Sequence, residues 1–549
     1  PLPREEMAIR FNNRKKRNSS SYVPYLYAGV ALMLLGSQYI LFHLHYPDDD
    51  GNSDSRQAIA RRLEALRSMR GTFDSDEIRG ARRPTINNKI ELPSRGEDSA
   101  GDKADSTAII LSPADERRKP THYPLLDCGG TDSNEAQAMM AYWKPISEVD
   151  RTYKSPFATL GRKGEKYVSF EYDNGGWNNI RMAMETSLAL ALGMGRTLVI
   201  PPQARLYLLN KDSNWQKHSF DSFYDLDSIQ KMYPGRVITF AEFLDRIPDD
   251  IEKPTRTYQQ MIQGQLQHSG STYNYLRKIG VNRRWGAKHC AYFYDKPSRK
   301  SIEEMPMEIQ KKLKKFCGRR KVVTYDEEMQ NAFLIHFPVD LSSDSRLLSH
   351  FYAFVFFGDD FMDRWVKRFI RDSLHYKSQI FCQAWRVVRE LLAEAPGGKF
   401  NAFHIRRNDF QFKEAWLSIP QIMEVTNDVV PEGSFVYIAT DENDKSQFAP
   451  MKQRYTVRFL SDYLNKGVLK GVNKNWYGMI EQIICSRAEI FVGTWWSTFT
   501  GYINRMRGYH GIDRSSWYYP KHWKYEMQQY KAPYGETGWW REWPPAWTE

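Results

Sequence analysis

Twice along this chain an apolar run of strand length breaks into a polar loop and then into helical spacing. That alternation limits the fold more than any other feature. In the first instance K-Y-V-S-F-E-Y-D (166–173) precedes the loop N-G-G-W-N-N, a helical run and a second strand, R-T-L-V-I-P-P (196–202). Apolar residues at 180, 184, 188 and 191 follow the helical period, and Gly193 and Gly195 stop it. In the second instance N-A-F-H-I-R (401–406), S-F-V-Y-I-A-T-D-E (434–442), Y-T-V-R-F-L (455–460) and E-I-F-V-G-T (489–494) read as strands, with a helix around 475–487. Strands alternating with helices predict parallel sheets covered on both faces. The class is therefore α/β, with two Rossmann-like lobes and a cleft between them. The helical stretch 361–395 is expected to bridge the lobes.

The strand ends carry the chemistry. F-H-I-R-R-N-D-F (403–410) leaves a strand with two arginines, whose guanidinium groups grip phosphate oxygens in a bidentate way and keep their charge. About ninety residues on, G-T-W-W-S-T-F-T-G (493–501) opens a helix with Ser497 and Thr498, adding hydroxyl and backbone N–H donors for the same target. Together they suggest a two-ended cradle for a diphosphate. Arg407 and Asp409 are expected to pair and hold the loop while Arg406 faces the ligand. Asp441 and Glu442 end a strand at the crevice, where ribose contact and helix capping both remain open. Trp495 and Trp496 suit lobe-to-lobe packing or a sugar face, and the tail W-W-R-E-W-P-P-A-W reads as a packed terminal arm.

From Tyr22 to Leu44 the chain carries no Asp, Glu, Lys or Arg, a length that spans a bilayer core. Arg10, Arg14, Lys15, Lys16 and Arg17 precede it and Asp48, Asp49 and Asp50 follow, so the basic side is expected to stay cytoplasmic. This gives a cytoplasmic tail (1–21), a single anchor (22–44), a polar, charge-mixed stem (45–120), an N-terminal lobe (121–380) and a C-terminal lobe (381–549). A type II chain with a large lumenal part is the build of Golgi-resident glycosyltransferases. The net charge of +12 is scattered and no zinc-finger, RRM or KH pattern occurs, so no nucleic acid is expected as a partner. The five cysteines form no C-x-x-C. In an oxidising lumen Cys290 and Cys317 can pair, while Cys485, inside an apolar run, is expected to be buried and inert.

H-I-R-R-N-D-F, Y-I-A-T-D-E (437–442), M-I-E-Q-I-I-C-S-R-A-E-I-F-V-G-T-W-W-S-T-F (479–499) and the loop G-G-W-N-N-I-R (175–181) resemble the GDP-fucose protein O-fucosyltransferase superfamily, its type 2 branch most of all. The four motifs lie in the right order over roughly 165–515. The resemblance implies a GT-B fold with the donor, GDP-fucose, in the C-terminal lobe. It implies that Arg406 holds the β-phosphate and is catalytic, with His404 beside it. It also implies that Ser497 and Thr498 bind phosphate oxygens, that Phe499 packs near the donor and that Glu481 accepts from the guanine edge. Gly175, Gly176, Asn178 and Asn179 would bind phosphate and fucose, and Asp441 completes the expected donor set. A fixed guanidinium can neutralise the leaving diphosphate, so neither metal nor other cofactor is expected. The D-x-D triplets Asp225-Leu-Asp227 and Asp74-Ser-Asp76 follow no clear strand.

One position departs from the type 2 pattern. Where those enzymes carry a general-base Glu in the glycine loop, this chain has Gly175. Asp173 is the nearest replacement, with Glu171 beside it. Alternatively there is no carboxylate base, and the acceptor loses its proton late in a loose transition state. The expectation is an inverting fucosyltransferase acting on a protein or glycan hydroxyl. The alternatives are a transferase using another nucleotide deoxysugar, and a lectin-like module that binds without turnover.

Overall fold

The computed structural model describes residues 124–130, 132–206, 209, 217–253, 270–294, 302–340, 345–519, 528–529 and 542. The anchor at 22–44, the stem, Asp74 and Asp76, and most of the Trp-rich tail lie outside them. Among the described residues no helix is long and apolar enough to cross a membrane.

The first sheet joins β1 (Tyr167–Phe170), β2 (Thr197–Val199), β3 (Val237–Ile238), β4 (Val281–Asn282) and β7 (Leu334–Phe337) in the order β3-β2-β1-β7-β4. Every pairing is parallel. All four residues of β1 and of β7 are buried, as expected of strands covered on both faces. The helix α1 (Trp177–Met194) follows β1, and Asn179 is its one half-exposed residue. It is therefore a core helix, more enclosed than its 3.6-residue stripe implied. Gly195 ends it in the left-handed region (φ 66°), with its N–H on the carbonyls of Ala191 and Leu192.

The second sheet joins β9 (Asn401–Ile405), β10 (Phe435–Thr440), β11 (Thr456–Arg458), β12 (Phe491–Gly493), β13 (Ser516–Tyr518) and β14 (Gln528–Gln529) in the order β11-β10-β9-β12-β13-β14. It is parallel except for β14. A third, three-stranded parallel sheet was not expected from the sequence. It consists of β5 (His289–Phe293), β6 (Lys321–Thr324) and β8 (Val355–Phe357) in the order β6-β5-β8. These runs are too short to show a period, and the sheet is closed by the helix Met307–Cys317 and the Cys290–Cys317 disulfide.

The expected bridge is two helices, α2 (Asp360–Ser373) and α3 (Ser378–Glu394). They part where Asp225 donates to the carbonyl of His375 and Lys377 donates to that of Phe223. The first packs on α1 and β8 and so belongs to the N-terminal lobe. The second packs on α4 (Tyr477–Ser486) and on the helix Asp132–Met140, and belongs to the C-terminal one.

Cys290 pairs with Cys317 as the sequence allowed, and Cys485 is free and buried. A second disulfide, Cys128–Cys382, closes a separation of 254 residues and ties the segment 124–130 to α3. Loop-closure entropy for so large a ring makes its removal cost about 3–5 kcal/mol. Cys128→Ser/Cys382→Ser should unfold at lower denaturant by that amount, while peptide mapping of the native protein should recover both disulfides and alkylate Cys485 only after unfolding.

Candidate functional site

Each principal sheet reverses its winding once. In the second, β9, β10 and β11 step one way while β12 and β13 step the other, so a crevice opens at the C-terminal ends of β9 and β12. In the first, β2 and β3 lie on one side of β1 and β7 on the other, which puts the glycine loop at the equivalent place. The two loops touch. The Thr498 hydroxyl donates to Asn179 Oδ1 at 3.1 Å, and Gln482 Nε2 donates to Asn178 Oδ1 at 2.9 Å. Tyr376 adds a bond to Gln482 Oε1 at 3.0 Å. The N-termini of α1 and of α5 (Thr498–Tyr509) therefore converge.

In the glycine loop, Gly176 is the N-cap of α1 and Gly175 donates its N–H to Asp173 Oδ1 at 2.7 Å. A Cβ on Gly175 would stand 2.3 Å from Asn179 Nδ2 and 2.9 Å from Asp173 Oδ1, so a larger residue would have to displace the Asn179 side chain. Asp173 is buried, and Arg346 grips both its oxygens at 2.7 Å. Glu171 is likewise taken by Arg277 (2.8 Å to each oxygen), by the Val339 N–H and by His336. Asp173 thus anchors the loop instead of presenting a base, because both its lone-pair faces are committed. Arg346 carries no local sequence signal, and Gln482, though inside the run 479–499, is not marked out there by its residue type.

Beyond β9, Arg406 lies between the carboxylates of Asp409 and Asp441, with 18% of its side chain exposed. The expected Arg407–Asp409 pair does not form. Arg407 is buried, donates to the Leu417 carbonyl at 2.6 Å and lies 5.3 Å from the Trp416 ring. Asp441 neither caps a helix nor stands clear for a ribose: its Oδ1 accepts the Arg407 N–H at 2.7 Å. Asn408 adopts the left-handed region (φ 41°) and bonds the Asp441 carbonyl, tightening the same turn. Thr494 stitches β12 to this loop, accepting from the Arg406 N–H at 2.9 Å and donating to the His404 carbonyl at 2.8 Å. Ser497 is the buried N-cap of α5 and makes no side-chain capping bond. Among the described residues Trp495 and Trp496 pack with Phe410, Phe412 and Tyr518 of their own lobe. Trp496 does so at φ 59°, a strained backbone for a bulky residue.

Behind the arginine, His404 is buried with Nδ1 2.7 Å from Thr500 Oγ1, and Phe499 stacks on its ring at 4.4 Å. Burial and the nearby Arg406 push its pKa down to about 3, so it stays neutral. Glu481 is half-exposed at the surface yet crowded by protein, and burial pushes its carboxyl up to about 8 against the pull of Lys445 and Tyr437. Tyr437 donates to it at 3.3 Å. Asp225 of the D-x-D triplet is a helix N-cap, accepting from the Ser228 N–H at 3.1 Å. Among the described residues no group of three or more His, Cys, Asp or Glu is arranged to hold a metal ion.

The family described as GDP-fucose protein O-fucosyltransferase matches residues 167–510. No curated protein matches the chain. Among solved structures the chain is similar to NodZ alpha-1,6-fucosyltransferase co-crystallized with GDP, at 12% identity and a TM-score of 0.34 over 67% of this chain and 99% of that one. It is similar to POFUT1 in complex with GDP-fucose at 14% and 0.31, over 66% and 99%. It is also similar to fucosyltransferase NodZ from Bradyrhizobium at 13% and 0.33, over 67% and 99%.

The two arginines should separate in stability. Arg407→Ala removes a buried donor and strands the Leu417 carbonyl, which should lower the unfolding free energy by about 2–4 kcal/mol. Arg406→Ala, at the mouth of the crevice, should cost about 1 kcal/mol or less. Denaturant titration of both variants checks this order.

Proposed function

The chain belongs to the GDP-fucose protein O-fucosyltransferase family and is a glycosyltransferase, and we propose that it is an inverting, metal-independent enzyme that moves fucose from GDP-fucose to a protein or glycan hydroxyl in the secretory pathway. The observation that carries this reading is the convergence of Arg406, the N-terminus of α5 and the glycine loop at two sheet switch points. In glycosyl transfer the sugar becomes oxocarbenium-like while negative charge gathers on the departing diphosphate. Arg406 would meet that charge by exchanging a carboxylate for phosphate oxygens. Backbone N–H groups at the two helix ends would take up the rest, without a metal. With Asp173 and Glu171 both committed to arginines, the acceptor proton would leave late, as a loose transition state allows.

Two disulfides suit an oxidising compartment. With the uncharged stretch at 22–44 and its basic flank, they support a type II protein of the Golgi membrane with the catalytic part in the lumen. The committed carboxylates also favour one second reading, a module that binds the donor without turnover. Incubation with GDP-fucose and a panel of glycans and folded repeat domains separates the two. GDP release that depends on an acceptor supports the enzyme, and GDP binding without release on any acceptor sinks it.

Arg406→Ala should reduce turnover by about two to three orders of magnitude, since the lost contact strengthens in the transition state. Arg406→Lys should recover only part of it, because a point charge cannot replace the planar fork.

Glu481 sets a pH dependence for the nucleotide. To accept both N–H groups of a guanine edge its carboxyl must be ionised, whereas in the empty site its pKa stands at about 8. Below that pH binding must expel a proton, so GDP affinity should rise with pH, approaching about tenfold per unit between pH 6 and 8, then level off. Calorimetry in buffers of different ionisation enthalpy measures the released proton. Glu481→Gln should bind more weakly and without this slope, and a flat wild-type profile would remove Glu481 from the guanine site.

A further inference from the structure

Directly behind the two converging helix ends lies a buried quartet of charges that the chemistry above does not use. Arg181 and Glu185 sit one turn apart on α1, with Nη1 2.8 Å from Oε2. Arg505, on α5, reaches the same Glu185 at 2.6 and 2.7 Å. Glu542, from the C-terminal stretch of the chain, closes the ring: it bonds Arg181 and its Oε2 lies 2.8 Å from Arg505 Nε. None of the four side chains is more than 2% exposed. The Tyr502 ring lies 3.9 Å from the Arg181 guanidinium carbon and 4.8 Å from that of Arg505. Two positive and two negative charges make the set neutral.

Arg181 follows Asn178 and Asn179 on α1, and Arg505 follows Thr498 by two turns on α5. The quartet therefore fixes how the glycine-loop helix stands relative to the phosphate-side helix. Glu185 alone cannot do this, because it would leave one guanidinium uncompensated in a dry site, where a lone charge costs several kcal/mol. The second carboxylate has to come from elsewhere in the chain, and Glu542 supplies it. Burial works against both guanidinium charges, yet Glu185 and Glu542 hold Arg181 and Arg505 firmly protonated.

We infer that Glu542 is a positioning residue for the transfer reaction: by neutralising the Arg181–Arg505 pair it locks the two helix N-termini into the spacing that the donor diphosphate needs. It touches neither substrate nor reacting atoms. The inference rests on the proposed function for its kinetic readout and on geometry alone for its structural one.

The test uses the full chain and compares Glu542→Gln, which removes the charge at constant shape, with Glu542→Asp, which keeps it. Work at low temperature, where circular dichroism shows each variant folded, removes bulk unfolding from the comparison. Hydrogen exchange is read first and needs no activity. Amides of 175–182 and 497–505 should exchange about tenfold faster in Glu542→Gln, while those of β9, β10 and β12 stay unchanged. Turnover of GDP-fucose should fall about 30-fold or more, since displacement of a binding element by about 1 Å can cost a hundredfold. Glu542→Asp should recover most of both losses. If Glu542→Gln does not fold, adding Arg181→Gln removes the uncompensated charge and leaves Arg505 paired with Glu185. The double variant should then fold, with exchange at the two helix ends back towards wild type, and a double variant that also fails to fold overturns the inference. Unchanged exchange at the two helix ends of Glu542→Gln, or exchange raised evenly across the chain, overturns the inference, as does wild-type turnover in the folded variant. A wild-type protein that never releases GDP from GDP-fucose would instead count against the proposed function and leave the exchange result standing.

Discussion

Two helix N-termini pointed at one crevice repel each other, since each carries the partial positive charge of its unsatisfied N–H groups. In this protein α1 and α5 are held in that arrangement, and the rest of the site follows from how the repulsion is offset. At the front it is bridged by uncharged groups: Asn179 meets Thr498 directly, and Gln482 of α4 donates both to Asn178 and to the Phe499 carbonyl. At the back it is braced by the neutral ring of Arg181, Glu185, Arg505 and Glu542. The N–H groups left over at the two helix ends favour an anion and disfavour a cation. Neutral stitches matter here, because a carboxylate between the helix ends would occupy the place of the ligand.

The side chains around that gap are internally compensated at rest. Arg406 is shared by Asp409 and Asp441, Asp173 is closed by Arg346, and Glu481 is kept neutral by burial up to a pH of about 8. On the proposed reading a nucleotide diphosphate would disturb two of these balances together: its phosphates would compete with carboxylates for Arg406, and its base would require Glu481 to ionise. A ligand with only one of the two features gains only part of this and still disturbs the resting pairs. Selectivity for the whole donor can therefore arise from costs built into the empty site as much as from contacts in the full one.

The local half of this design was legible in the sequence. Strand ends bearing Arg406 and Thr494, a glycine loop before a helix, and a helix opening at Ser497 all declare themselves within a dozen residues, because hydrogen-bonding backbone and side-chain periods act over that range. Asp409, expected to pair with Arg407, pairs with Arg406 instead. Both arginines lie within three residues of that carboxylate, and only the turn at Asn408 decides which one reaches it. The partners of the buried carboxylates were not legible at all. Arg346 lies 173 residues from Asp173 and Glu542 lies 361 from Arg181, so no local pattern links them. The third sheet escaped for a different reason, its strands being short runs without a period.

The glycine at 175 has a physical explanation that differs from simple loss of a catalytic group. Its missing side chain is where Asn179 Nδ2 sits, 2.3 Å from any Cβ, and its N–H is spent on Asp173. A glutamate there would have to displace the Asn179 side chain, whose Oδ1 accepts from Thr498. The loop has thus been fitted around the absence of a side chain, with Asp173 and Arg346 holding its strand end. In such a site the burden shifts from removing the acceptor proton to stabilising the leaving group. The groups that would do the latter on the proposed reading, Arg406 and two helix N-termini, are the ones that the packing places at the crevice.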